Sequence, residues 1–347
     1  MKNLKLDQNI LGIRFFVIAA LAISFILTSC EKDEEIALAD SSQSELSDIM
    51  TTLEKASVDS VFFESLAGNN DLKSGKKWTK APTFFNLTYA LAKTKLAVTV
   101  ATGELTVFAP SDDAFRALFK QIGVKSITQL TAEQLKPILL YHVLNGKVRS
   151  TALKNGFVPT LNGAAVKVKL NPGVMVNNAQ VTFADLSTFN GVIHVIDQVL
   201  LPPTQNIVQV AQSIPAFSIL VDAVKKAGLA ETLSTGGPFT VFAPTNDAFV
   251  SVLKELNFAS LNDIPIDVLK NVLLYHVVDG RVYSSSLPAG PLKVTPLFSS
   301  QSFSIDASML QINDARGRKS GLVPSLLDVQ ATNGVIHVID KVILPKL

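Results

Sequence analysis

The sequence predicts an α+β protein made of two copies of one unit, each with helices first and strands after. Three observations carry this. Short motifs recur in the same order: TVFAP at 106–110 returns at 240–244, LLYHV at 139–143 returns at 273–277, and NGVIHVID at 190–197 returns at 333–340. Ahead of the second TVFAP, apolar residues fall at helical spacing, whereas behind the first LLYHV they alternate as in strands. A length of 347 residues with 48% hydrophobic content suits two domains with full cores.

In chain order, residues 1–29 read as a lipoprotein signal peptide. Lys2, Lys5 and Arg14 precede an apolar run at 15–27, too short to cross ~30 Å of hydrocarbon as a helix. LTSC at 27–30 resembles the lipobox of bacterial lipoproteins, which implies acylation of Cys30. Cys30 is the only cysteine, so neither an internal disulfide nor a Cys-rich metal site is available. Glu31-Lys32-Asp33-Glu34-Glu35 resembles the export signal of Bacteroidetes-type lipoproteins. It implies an outer-membrane, lipid-anchored protein facing the cell exterior, held by acyl chains without a spanning helix. Residues 30–50, acidic and serine-rich, read as a solvated tether. Removing 1–29 takes 3 of 31 basic and 1 of 29 acidic residues, leaving 28 of each. A neutral chain without a basic tract argues against nucleic acid as a partner.

The first domain is expected over 51–202, with its core from about 81. A helix-like stretch at 53–66 and a polar, lysine-rich one at 69–80 precede that core. Phe217, Leu220, Val221 and Val224 give a helix over 215–228, and 239–242 is a short β-prone strand. Ser111 and Thr245 are placed to cap the next helix. Its apolar face is Phe115, Leu118, Phe119 and Ile122 in one copy and Phe249, Val252, Leu253 and Leu256 in the other. Thr131 and Gln134 suggest a capping box for the following helix. Pro137 is expected to bend or restart it, and Gly146 and Gly280 to end it in a left-handed turn. Val166, Val168 and Leu170, a turn at 171–173, then Val174 and Val176 read as a hairpin. The second copy has nine extra residues before its last motif, expected within 298–324. Pro202-Pro203-Thr204 is a short, stiff linker to the second domain, 204–347, and limits the range of orientations.

All four histidines occupy repeat-matched places. In VIHVID, Val192, His194 and Ile196 point one way while Ile193, Val195 and Asp197 point the other. The strand is therefore covered on both sides, and His194 cannot pair with Asp197. His194 and His337 are expected to be structural, buried and neutral. Tyr141-His142 and Tyr275-His276 lie at a helix C-terminus, where imidazole meets free carbonyls. No nucleophile elbow, zinc-helix motif, P-loop or dinucleotide fingerprint is present, so nothing nominates catalytic residues, a metal site or a cofactor.

TVFAP(S/T)xDAF, LLYHV and NGVIHVIDxV(L/I)LP, in order and twice, resemble the motifs of the fasciclin (FAS1) domain family over 81–202 and 204–347. The resemblance implies that each copy is a β-sandwich wedge flanked by several helices, serving extracellular adhesion or interaction rather than catalysis. It also implies candidate contact residues: the Tyr-His pairs, and an acidic-aliphatic pair at Asp185-Leu186 and Asp328-Val329. The resulting expectation is a lipid-anchored surface protein that binds an extracellular protein or matrix component. The alternative is an accessory glycan-binding module of a polysaccharide-uptake system, for which Trp78, the only tryptophan, is the stacking candidate.

Overall fold

Asp48 opens the first domain: its carboxylate accepts the Thr51 N–H at 3.0 Å and caps helix α1 (Ile49–Val58). The fold thus starts inside the stretch read as tether, because Ile49 is fully buried against the domain core. The computed structural model describes residues 46–68, 81–298 and 300–346. The signal segment, Cys30, most of the tether and Trp78 lie outside them. The described residues belong to one compact unit. Among them no single helix is long and apolar enough to cross a membrane.

The first domain continues with α2 (Ser60–Gly68), α3 (Phe85–Lys93), α4 (Ala97–Thr102), β1 (Leu105–Pro110), α5 (Asp112–Ile122) and α6 (Ala132–Tyr141). Then come β2 (Val143–Asn145), β3 (Gly156–Pro159), β4 (Ala165–Lys169), β5 (Met175–Val176), β6 (Ala179–Ser187) and β7 (Gly191–Ile196). The second repeats the plan: α7 (Ile207–Ser213), α8 (Ser218–Lys226), α9 (Ala230–Thr235), β8 (Phe239–Pro244), α10 (Asn246–Glu255), α11 (Ile266–Tyr275) and β9 (Val277–Asp279). It ends in β10 (Pro291–Val294), β11 (Phe303–Asp306), β12 (Gln311–Asn313), β13 (Lys319–Gly321), β14 (Val329–Ala331) and β15 (Gly334–Ile339).

TVFAP and GVIHVI are neighbours in space. β1 pairs with β7, and β8 with β15, in parallel and in register over six residues. Alternation along these strands feeds two cores, as a period of two requires. Val107, Ala109, Ile193 and Val195 face the helices. Phe108 and Ile196 face away, toward Val166 and Val176 of β4 and β5. The seven-stranded ladder β2-β1-β7-β6-β5-β4-β3 therefore folds over a second core of its own.

In the second domain the ladder is split into β14-β15-β8-β9 and β10-β11-β12-β13. The extra residues account for this. Leu161 N–H to Val143 O and Leu297 N–H to Val277 O are the same bond in the two copies. Leu297 follows Leu161 by 136 positions, but Val277 follows Val143 by 134. Two of the nine extra residues thus precede 297, correcting the expected placement, and seven follow it in the β11–β13 region.

Ser111, Thr245 and the Thr131–Gln134 box cap their helices as predicted. Two expectations fail. Helix α6 runs through Pro137 without restarting; the carbonyl deprived of a donor belongs to exposed Glu133, where solvent can serve it. Gly146 (φ +80°) and Gly280 (φ +84°) end β2 and β9, not the helices, which stop earlier at right-handed His142 and His276.

The domains meet at a defined joint. Phe157 of β3 stacks on Tyr283 of the second domain with ring centroids 4.5 Å apart and planes within 12°. Gln330 brackets the Ala165 peptide, accepting its N–H at 2.9 Å and donating to its carbonyl at 2.8 Å.

Candidate functional site

The two Tyr-His pairs sit where α6 and α11 end, and both are enclosed: His142 is 1% and His276 2% exposed. His142 Nδ1 lies 2.8 Å from Ile138 O, one turn back, and its Nε2 accepts the Leu200 N–H at 2.9 Å. His276 does the same with Val272 O and Ile343 N–H, at 2.7 and 3.0 Å. A backbone N–H can only donate, so Nε2 is bare and the proton is on Nδ1. Each ring ties a helix end to the segment just beyond the last strand. Burial pushes both imidazoles down to about 4, against the smaller opposing effect of the carbonyl bond.

Their tyrosine neighbours turn to the sandwich side. Tyr141 OH donates to Ala165 O at 2.8 Å, the carbonyl that Gln330 also uses, so it lies directly beneath the joint. Tyr275 OH donates to Ser302 O and accepts from Ala315 N–H, both at 3.0 Å, pinning the enlarged segment. Burial raises the Tyr275 phenol to about 12.

His194 and His337 carry the opposite tautomer. The Asp185 N–H donates to His194 Nδ1 at 3.2 Å, so the proton is on Nε2, which donates to Val148 O at 2.9 Å. His337 repeats this with Asp328 N–H at 3.3 Å and Val282 O at 2.8 Å. His337 Nδ1 is also 4.0 Å from Asp328 Oδ1, but a nitrogen accepting an N–H carries no proton, and burial holds the ring neutral. That contact is not an ion pair. Each ring lies over a phenylalanine of the adjacent strand, His194 on Phe108 and His337 on Phe242, at 5.6 Å in both cases.

The aspartates explain the geometry. Asp185 and Asp328 adopt left-handed φ values of +62° and +58°, a conformation aspartate tolerates better than most residues. In the first domain this falls at a register shift in the β6–β7 ladder. The turn aims the Asp N–H at the histidine and the carboxylate at a serine. Asp185 accepts the Ser150 N–H at 2.7 Å and the Ser150 hydroxyl. Asp328 accepts the same groups of Ser284 at 2.7 and 2.5 Å.

Serine, histidine and aspartate thus converge twice, but wired for structure. The hydroxyl proton goes to the carboxylate and both imidazole nitrogens are taken by main chain, so the serine is not activated by a base. Among the described residues no cluster of three His, Cys, Asp or Glu side chains has metal-binding geometry. Tyr141, His142, Leu186, Tyr275 and His276 are buried, and the Asp328 side chain is 5% exposed. Side chains this enclosed reach a partner only if the domain opens. Val329 is half-buried. Ser150, Ser284 and Gln330 lie outside the recurring motifs; the serines carry a signal, since they recur at the LLYHV offset.

Two helix-plus-sheet units joined in tandem define a pair of scaffold domains with internally closed polar clusters. A model of the fasciclin domain matches residues 82–202 and 215–345, and the chain belongs to that family. It is 32% identical over 247 residues to transforming growth factor-beta-induced protein ig-h3 of Oryctolagus cuniculus, a match covering 70% of this chain and 35% of that protein. It is 37% identical over 113 residues to the cell surface glycolipoprotein MPB83 of Mycobacterium bovis, covering 32% of this chain and 49% of that protein. The chain therefore spans only about a third to a half of these relatives. A solved FAS1 domain pair from the insect cell adhesion molecule Fasciclin I covers 84% of the chain at 19% identity, with a TM-score of 0.35.

Proposed function

We propose that this protein is a lipid-anchored adhesion protein, displayed on the outer face of the outer membrane, whose tandem domains bind an extracellular protein or matrix component. One observation carries the reading: every histidine and both motif aspartates are bonded within the fold, in both copies. What the molecule offers its surroundings is then the outer surface of two jointed domains. The Tyr-His and Asp-aliphatic pairs act by fixing the shape of that surface. Membership of the fasciclin family and the likeness to a cell surface glycolipoprotein support display, and the lipobox at Cys30 supplies the anchor.

Intact cells carrying the full chain should adhere to immobilised matrix proteins, and protease applied outside should release the domains and abolish adhesion. Protection from the protease places the protein at the periplasmic face instead. Cys30→Ala should leave an unprocessed, unacylated precursor. Saturable binding to a glycan array that is lost on Trp78→Ala would identify the accessory glycan module in place of the adhesion reading.

A further inference from the structure

The split of the second domain's ladder leaves space between its two sheets. A cavity of about 200 Å³ lies there. Ile305, Ala307, Leu310, Leu322 and Leu327 line it from the enlarged segment, and Phe242 and His337 from the central strands. It is partly open to solvent, since Ser285 on its wall is exposed and Ala307 and Leu310 are half-buried, and an apolar cavity of ~150 Å³ is enough to bind benzene. The walls hold no free charge. His337 is neutral with both nitrogens engaged, the Ser284 hydroxyl is given to Asp328, and Ser285 Oγ accepts the Phe157 N–H at 3.1 Å. Among the described residues the one buried side-chain polar atom without a partner is Thr188 Oγ1, in the other domain. A charged guest would be left unpaired here, and a water molecule would find few partners.

We infer that the second domain carries a partly open binding cleft for one small, uncharged, apolar molecule, of the size of a substituted benzene ring or a short aliphatic chain. The site is a property of the second copy, since five lining residues lie in the stretch that holds seven of its extra positions. The cavity abuts the joint, because Ser285 lines it while binding Phe157 of the first domain. Occupancy therefore stiffens the wall against which the first domain rests.

The test uses residues 45–347, which form a compact unit with their own cores, with toluene as the neutral probe and benzoate as its charged counterpart. Toluene should bind saturably and raise the melting temperature by about 2 °C or more, while benzoate does neither. Ala307→Leu, which fills the cavity, should abolish toluene binding. Leu287→Phe fills it from the opposite wall and serves if the first variant does not fold. No saturable binding by the parent chain, equal binding of benzoate, or undiminished toluene binding in a folded filling variant overturns the inference. These outcomes are independent of the adhesion tests.

Discussion

Gly191 lies so close to Leu105 that a Cβ on it would sit 2.1 Å from the Leu105 carbonyl oxygen. Gly334 repeats the relationship with Phe239 O at 2.2 Å. Neither glycine needs a left-handed backbone; what each supplies is room for the parallel strand beside it. The residue before it completes the arrangement. Asn190 Oδ1 accepts the Ile49 N–H at 2.9 Å, and its Nδ2 donates to Val100 O and Gly103 O at 2.8 and 2.7 Å. Asn333 does the same for Ile207, Leu233 and Gly236. The recurring Asn-Gly thus ties the first helix of each domain to its last strand.

Gly334→Ala should therefore destabilise the second domain by about 3 kcal/mol, because the obstacle is backbone and cannot rotate away. Asn333→Ala should cost about 2–4 kcal/mol, through buried donors and acceptors left without partners. Denaturant titration monitored by circular dichroism measures both. A loss under 1 kcal/mol shows for Gly334→Ala that the strand has room to shift, and for Asn333→Ala that the freed groups find other partners.

Acid should weaken the fold through His142 and His276. Their folded values of about 4 lie below the ordinary value of 6.5, so the unfolded chain binds protons more readily between those limits. The stabilisation is complete above pH 6.5 and is lost as pH falls toward 4, by at most roughly 3 kcal/mol for each ring. Melting temperature against pH should be level near neutrality and decline below 6.5. His142→Gln combined with His276→Gln should flatten that decline while lowering stability at pH 7.

Two substitutions of Asp328 test its two roles together. Asp328→Asn keeps the left-handed tolerance and an acceptor, and should cost about 1 kcal/mol. Asp328→Ala loses both, leaves the Ser284 N–H unserved and should cost about 2–3 kcal/mol. Thermal melts rank the two variants. Equal losses would show that neither the left-handed tolerance nor the retained acceptor contributes.

Tyr283→Ala removes the stack on Phe157 and should cost about 3 kcal/mol. The effect falls on coupling between domains more than on either core. Calorimetry should resolve two unfolding transitions in the variant where the parent shows one. A single transition shifted downward would place Tyr283 in the second domain's own core.

Much of this architecture was legible. The spacing of Phe115, Leu118, Phe119 and Ile122 gave a helix face that is buried except at Ile122, which is 44% exposed, and the apolar character of VIHVI on both sides gave a strand between two cores. Repeat-matched Ser111 and Thr245 marked helix starts. Less legible were relations that depend on a distant partner. Gln330 is an ordinary polar residue until Ala165 of the other domain is brought beside it. The tautomers of His142 and His194 differ only because different main-chain groups reach them. Pro137 misled because local chemistry predicts a break, whereas the freed carbonyl faces solvent. The extra residues near 298–324 read as loop, yet they split a sheet, since strand pairing is decided by the neighbours a segment finds.

The pairing of β1 with β7 also governs how the molecule comes into being. Leu105 meets Gly191, and Phe239 meets Gly334, so each central ladder joins stretches some 86 and 95 residues apart. Loop closure over such distances slows folding, and no early fragment of either domain can complete its sheet. A chain made from its N-terminus keeps each domain open until that domain's final strand arrives. The late arrival of GVIHVI thus leaves each unit without its closing strand until nearly all of that unit has been made.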